Sequence, residues 1–288
     1  MKNVRFTLLL LCSLLLLGQS LLAQSQDLPT LSFERDSNTT ATYHETIAFY
    51  EALAKKHPKQ LQLSAVGMTD AGYPLHVAVL SKDGDFDPAS VRAKDKRILF
   101  INNAIHPGEP CGVEATMLLY RDLLTQKTGQ EWLDKVVLVA IPYYNIGGGL
   151  NRGSYSRANQ NGPEAYGFRG NAKNLDLNRD FIKCDSRNAM TFNQIFTLWQ
   201  PDMFTDNHTS NGADYQYTIT LIDAQKDKLD PNLAELSQKR IVPQLFAKMQ
   251  EKGWAMTPYV YSRGTPDTGI AGFLDLPRYS SGYAALHN

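Results

Sequence analysis

Three things are scarce in this 288-residue chain. It has three cysteines, no net charge (29 Lys and Arg against 29 Asp and Glu), and no glutamate after Glu251. With so few cysteines there is no disulfide framework; once Cys12 is set aside in the N-terminal run, only Cys111 and Cys184 are left, and they either pair or stay as inert thiols. Zero net charge removes the electrostatic case for nucleic acid or an anionic membrane as partner. Beyond the N-terminus no segment approaches the roughly 20 apolar residues of a spanning helix.

The N-terminus does hold one apolar run, Phe6 to Leu17, preceded by Lys2 and Arg5 and followed by Ala23. That pattern predicts a secretory signal peptide over residues 1–23 and an exported mature protein with no membrane segment of its own. Residues 24–41 are polar and aperiodic and read as a linker or arm. Residues 42–288, in a chain that is 43% hydrophobic, are ample for one large domain.

Within that domain the pattern alternates between helix and strand. Thr42 with Glu45 is a capping box, and Ile47, Tyr50, Leu53 and Ala54 follow at helical spacing up to Pro58. Leu61–Val66 and Leu75–Leu80 predict a hairpin. Arg97–Asn102 and Val136–Pro142 predict buried strands, and Pro110–Leu124 a helix buried along Val113, Met117, Tyr120 and Leu124. Gly147–Asn174 reads as a long loop, Phe192–Trp199 as a short helix and Met203–Asn207 as a strand end. Asp230–Lys252 reads as a long helix with Leu233, Leu236, Ile241, Leu245 and Met249 facing inward. The order argues α/β, with a mixed, mostly parallel twisted sheet flanked by helices.

The chemistry gathers at predicted strand ends. His106-Pro107-Gly108-Glu109 follows a buried strand and precedes a helix, the place where α/β sheets collect their sites. The alternative is a surface histidine beside a helix-entry glutamate. His208 follows Met203–Asn207 and is either a third ligand or a hydrogen-bonded core histidine, with Asp202 or Asp206 available behind it. Two His and one Glu around an open position form the ligand set of a hydrolytic zinc site. His44, His57, His76 and His287 read as structural. Cys111 would act as a nucleophile only with a base beside it. Asn178 and Arg179 set an amide beside a guanidinium fork suited to a carboxylate. Arg152, Arg157 and Arg169 lie in the long loop, where one of them could hold a developing oxyanion.

The order of these motifs resembles the zinc carboxypeptidases, the carboxypeptidase A-like metallopeptidases, from about Thr42 onward. Gly67-Met68-Thr69-Asp70-Ala71-Gly72-Tyr73-Pro74-Leu75 is similar to the family's opening hairpin, followed by His106-Pro107-Gly108-Glu109, Asp176-Leu177-Asn178-Arg179 and His208. The resemblance implies one Zn2+ on His106, Glu109 and His208. It implies a peptide's terminal carboxylate held by Asn178 and Arg179, and Arg157 as oxyanion arginine, with Arg152 its competitor. The reaction would be hydrolysis at the C-terminal end of a peptide through a metal-activated water. Tyr279 and Tyr283 are candidates for a tyrosine over the substrate. The family's general-base glutamate has no counterpart here, because the sequence past Glu251 offers only Asp267 and Asp275. The expectation is therefore a domain incomplete at its C-terminus, or else a catalytically inactive zinc or peptide-binding module. An amidase or deacylase on the same fold is the other alternative.

Overall fold

The structure is a computed structural model describing residues 28–125, 129–158, 160–210, 212, 214–262 and 264–287. The signal peptide expected over residues 1–23 lies outside the described residues. Contacts divide the chain into Met1–Thr30 and Leu31–Asn288, and the second unit carries everything below. No helix among the described residues is long and apolar enough to cross a membrane.

Helix α1, Tyr43–Lys56, starts at Thr42, which caps Glu45 N and receives the Glu45 carboxylate on its own N–H. Strands β1 (Leu61–Met68) and β2 (Pro74–Leu80) form the hairpin, and β3 (Arg97–Asn102) runs into the site. Helix α2, Cys111–Thr125, buries Val113, Met117, Tyr120 and Leu124 as its periodicity requires. Strand β4, Val136–Ile141, is buried along nearly its whole length. Helix α3 (Ile146–Leu150), the short ladder β5–β6 (Arg152–Gly153 with Tyr166–Gly167), helix α4 (Arg187–Trp199) and strand β7 (Met203–Asp206) follow.

The main sheet has the order β1-β2-β4-β3-β7. It is a mixed sheet flanked by helices, but parallel pairs do not outnumber antiparallel ones. β3 pairs in parallel with β4 and β7, while the hairpin contributes the two antiparallel pairs, β1 with β2 and β2 with β4. On one face, Val77, Val79, Phe100, Val137 and Val139 meet Phe192, Phe196 and Trp199 of α4. The alternate residues, such as Ala78 and Ala140, face the other way, where the Tyr120 hydroxyl donates to Ala78 O and Tyr50 packs edge-on against Tyr120. Phe192 is fully buried among Phe100, Phe181, Phe204 and Tyr283.

Several expectations need correction. The arm before α1 is docked from Leu31 onward, with Leu31, Ser32, Thr40 and Ala41 buried. The buried Glu114 carboxylate of α2 explains this, since it accepts from the N–H groups of Ala41 and Phe33. The stretch after Gly147 is not structureless. Asn145 caps Gly148 and starts α3, whose glycines let its backbone lie against Phe168, Gly170 and Ala172. Helix α4 starts at Arg187, five residues earlier than its apolar pattern, because Ser186 caps Ala189 N.

The long helix is broken into α5 (Pro231–Leu236), a π turn (Ser237–Ile241) and α6 (Val242–Glu251). Pro243 lacks the N–H that a continuous helix needs, and the π turn precedes it. Its apolar face is not inside. Leu233, Leu236 and Leu245 are 40%, 37% and 39% exposed, and no described residue from 201 to 274 is buried.

Candidate metal and carboxylate site

Strand β3 delivers the first two candidate ligands and its parallel neighbour β7 delivers the third. Asn102 pairs with Asp206 at the carboxyl ends of the two strands, so His106 and His208 both emerge a few residues beyond that pair. Ala104 takes a positive φ of 56° between β3 and His106, reversing the chain. At Gly108 a side chain would strike Arg157 and Gly167 O, and at Gly112 it would strike Asn207, so both close approaches need glycine. Asn145, buried, donates to Ile105 O and Arg169 O and thereby ties the His106 corner to the loop opposite.

His106, Glu109 and His208 converge, with donor atoms all within 4.8 Å of one another. Glu109 Oε1 lies 3.1 Å from His106 Nδ1, and Oε2 lies 2.8 Å from His208 Nδ1. Each ring is braced from behind by a carboxylate. Asp176 Oδ1 is 3.0 Å from His106 Nε2, and Asp206 Oδ2 is 2.8 Å from His208 Nε2. A carboxylate on Nε2 keeps a proton there and turns Nδ1 toward the shared point, where it binds a metal once unprotonated. Two inward nitrogens and a carboxylate suit a divalent ion of the zinc class. On donor chemistry and convergence, the residues fit a metal.

The electrostatics match this reading. Burial alone would raise the Glu109 carboxyl, but the hydrogen bonds and charges of His106 and His208 hold it well below the usual carboxylate range. Burial would lower His208, but Asp206 and Glu109 outweigh it and raise the ring to about 10. Burial likewise opposes ionisation of Asp176, and His106, Arg169 and Arg179 together overcome it, leaving its carboxyl lowered.

Two arginines reach the cluster. Arg157 Nη1 donates to Glu109 Oε1 at 2.6 Å. Arg169 Nη1 lies 3.7 Å from the same oxygen and 3.3 Å from His106 Nδ1, while its Nε donates to Asp176 Oδ2 at 3.0 Å. Arg152, the competitor for the oxyanion role, is spent elsewhere, donating to Thr40 O and Ala165 O. Asn178 Nδ2 stands 3.4 Å from His208 Nε2, and Asn178 Oδ1 accepts from Ser280 N. Arg179 stacks on Tyr279, its guanidinium carbon 4.5 Å from the ring centroid. Asn178 therefore borders His208, and Arg179 lies between Asp176, 3.9 Å away, and Tyr279. Tyr283 is instead a core residue between Phe181 and Phe196.

The remaining candidates do not join the cluster. Asp202 accepts from Ile98 N, Asp275 is buried against the Ser281 hydroxyl, and Asp267 is exposed. Cys111 is free and exposed, its sulfur near His208 O and Thr209 Oγ1 and, among the described residues, bonded to no basic side chain; Cys184 is also free. His44 packs on Tyr43 and Tyr73, and His287 on Phe196 and Tyr283. Sequence reasoning gave Asp176 and Asn145 no role. The one signal for Asp176 was an acid two residues before Asn178; Asn145 carried none.

Residues 46–269 match the family model described as zinc carboxypeptidase. A curated sequence of Arthroderma benhamiae named "Probable carboxypeptidase 2" is 23% identical over 238 residues, covering 78% of this chain and 42% of that sequence. A metallo-carboxypeptidase structure from Burkholderia cenocepacia aligns with TM-score 0.57 at 17% identity, covering 84% of this chain and 56% of that one. The carboxypeptidase A structure from Helicoverpa armigera aligns with TM-score 0.57 at 15% identity, covering 91% and 64%. This chain thus spans about half the length of the relatives it matches.

Proposed function

Because the chain belongs to the zinc carboxypeptidase family, we propose that it is a zinc-dependent metallocarboxypeptidase acting on peptides at their free C-terminal end. The observation that carries this reading is the convergence of His106, Glu109 and His208 within 4.8 Å, with Asn178 next to His208. A bound zinc ion would supply Lewis acidity and a water of lowered pKa at that point.

The chain's own residues do the rest. Asp176 and Asp206 keep the two imidazoles turned inward. Arg179, 39% exposed at its side chain, offers its fork to the terminal carboxylate, and Asn178 adds an amide. Binding the carboxylate fixes the register, so the last peptide bond is the one presented. Arg157 and Arg169 bring positive charge to the ligand cluster. Arg157 is the less exposed of the two and bonds Glu109 directly. Arg169, 40% exposed, has more room to meet charge on a carbonyl oxygen. Export through residues 1–23 belongs to the same proposal, and N-terminal sequencing of the mature protein tests it.

A specific observation favours a second reading, a module that binds zinc and peptide without turnover. Among the described residues, the carboxylates bonded to the candidate ligand histidines are Glu109, Asp176 and Asp206. All three serve the ligand set, so none is free to shuttle a proton as general base. A panel of short peptides with free and amidated C-termini, assayed for cleavage and for binding in added zinc, separates the possibilities. A carboxypeptidase cleaves only the free acids, and a binding module binds them uncut. Equal handling of acids and amides rejects both and points to an amidase or deacylase.

A further inference from the structure

Tyr279 carries a second guanidinium besides that of Arg179. The Arg278 guanidinium carbon lies 5.1 Å from the same ring centroid, and its Nη2 donates to the Tyr279 hydroxyl at 3.0 Å. Arg278 is exposed, and no carboxylate among the described residues pairs with it. Arg179 is scarcely better matched, since its acidic neighbour Asp176 stands 3.9 Å away and its short bond goes to Asn178 O. Two cations held on one aromatic ring repel each other. Stacking on the ring offsets part of that cost, and an anion bound by either guanidinium removes more.

We propose that Arg278 is a specificity-determining residue of this site, selecting peptides whose C-terminal residue is aspartate or glutamate. The inference rests on Arg179 holding the terminal carboxylate, as proposed above. With that group on Arg179, the C-terminal side chain lies a few ångströms away, and Arg278 is the neighbouring cation whose donors are largely unspent. A guanidinium has five N–H donors in a planar fork, and the Tyr279 hydroxyl uses one. A side-chain carboxylate can take two of the others. The amide of glutamine has the same shape without the charge, and a C-terminal lysine or arginine meets repulsion. The site is open to solvent, so the preference is modest and salt-sensitive.

The test is the affinity of zinc-supplemented protein for N-acetyl tripeptides ending in glutamate, glutamine or lysine, and for the glutamine peptide with its terminal carboxyl amidated. The expected result is that glutamate binds roughly three- to tenfold tighter than glutamine, with lysine weakest. In Arg278→Gln the glutamate advantage disappears while the glutamine peptide keeps its affinity. High salt erodes the advantage in the parent protein. Arg278 is exposed, so the variant should keep the parent's melting temperature. Equal binding of glutamate and glutamine by the parent protein, or a preference that survives in Arg278→Gln, overturns the inference. The amide comparison reports separately on the underlying reading. If the glutamine acid binds no better than its amide, terminal-carboxylate recognition is wrong and the role of Arg278 falls with it.

Discussion

Asp176 accepts from the Nε2 of His106 at 3.0 Å, across the ring from the Nδ1 that faces Glu109. The same carboxylate receives Arg169 through its other oxygen. One side chain therefore orients a candidate metal ligand and a candidate oxyanion arginine together. Replacing it as Asp176→Asn keeps the shape and removes the charge. Zinc affinity should fall about 10- to 100-fold, with little change in far-UV circular dichroism. Competition against a chromogenic chelator measures this. An affinity equal to the parent's would mean that Asp176 does not brace a ligand.

The pH dependence of metal binding follows from the two strongest shifts at the site. His208 is raised to about 10 by Asp206 and Glu109 against the effect of burial. A raised histidine stabilises the metal-free fold fully below its ordinary value of 6.5, and that contribution is lost as pH rises toward 10. Glu109 is lowered, so its contribution is present above the ordinary carboxylate range and lost in acid. A metal needs Nδ1 of His208 unprotonated. Zinc uptake near pH 7 should therefore release a proton, and affinity should rise with pH. Calorimetry in buffers of different ionisation enthalpy counts the proton. Release of none would contradict a protonated His208.

The contrast between the two halves of the domain makes a stability prediction. Phe192 is fully buried in an aromatic cluster, and Phe192→Ala should cost about 3–5 kcal/mol. Leu245 on α6 is 39% exposed, and no residue of that helix is buried. Leu245→Lys should therefore change stability by less than about 0.5 kcal/mol, and it should reduce dye binding to exposed apolar surface. Urea unfolding of the two variants checks both. A cost for Leu245→Lys comparable with that for Phe192→Ala would show that the face of α6 is covered in solution.

Local patterns made much of the fold legible. The Thr42–Glu45 box starts α1, the apolar run of β3 ends at Asn102, and the periodicity of α2 names its buried face. His106 and Glu109 were legible because a strand, a Pro-Gly corner and a helix frame them within a few residues. The bracing of His106 by Asp176 was not, because it joins groups 70 residues apart. The same holds for Asn145, whose amide spans from Ile105 to Arg169. Periodicity misjudged α5 and α6, since an apolar stripe states which face could be buried and not whether anything covers it. The break near Pro243 was visible in the sequence, and the helical spacing on either side obscured it.

The most direct measurement is a zinc titration of the protein beside Glu109→Gln, read by calorimetry with circular dichroism as the control for folding. The account predicts one zinc ion per chain for the parent protein, and binding weakened at least about 100-fold in the variant, which loses the anionic ligand between the two histidines. Absence of stoichiometric zinc in the parent protein, or equal binding by a folded Glu109→Gln, would contradict it.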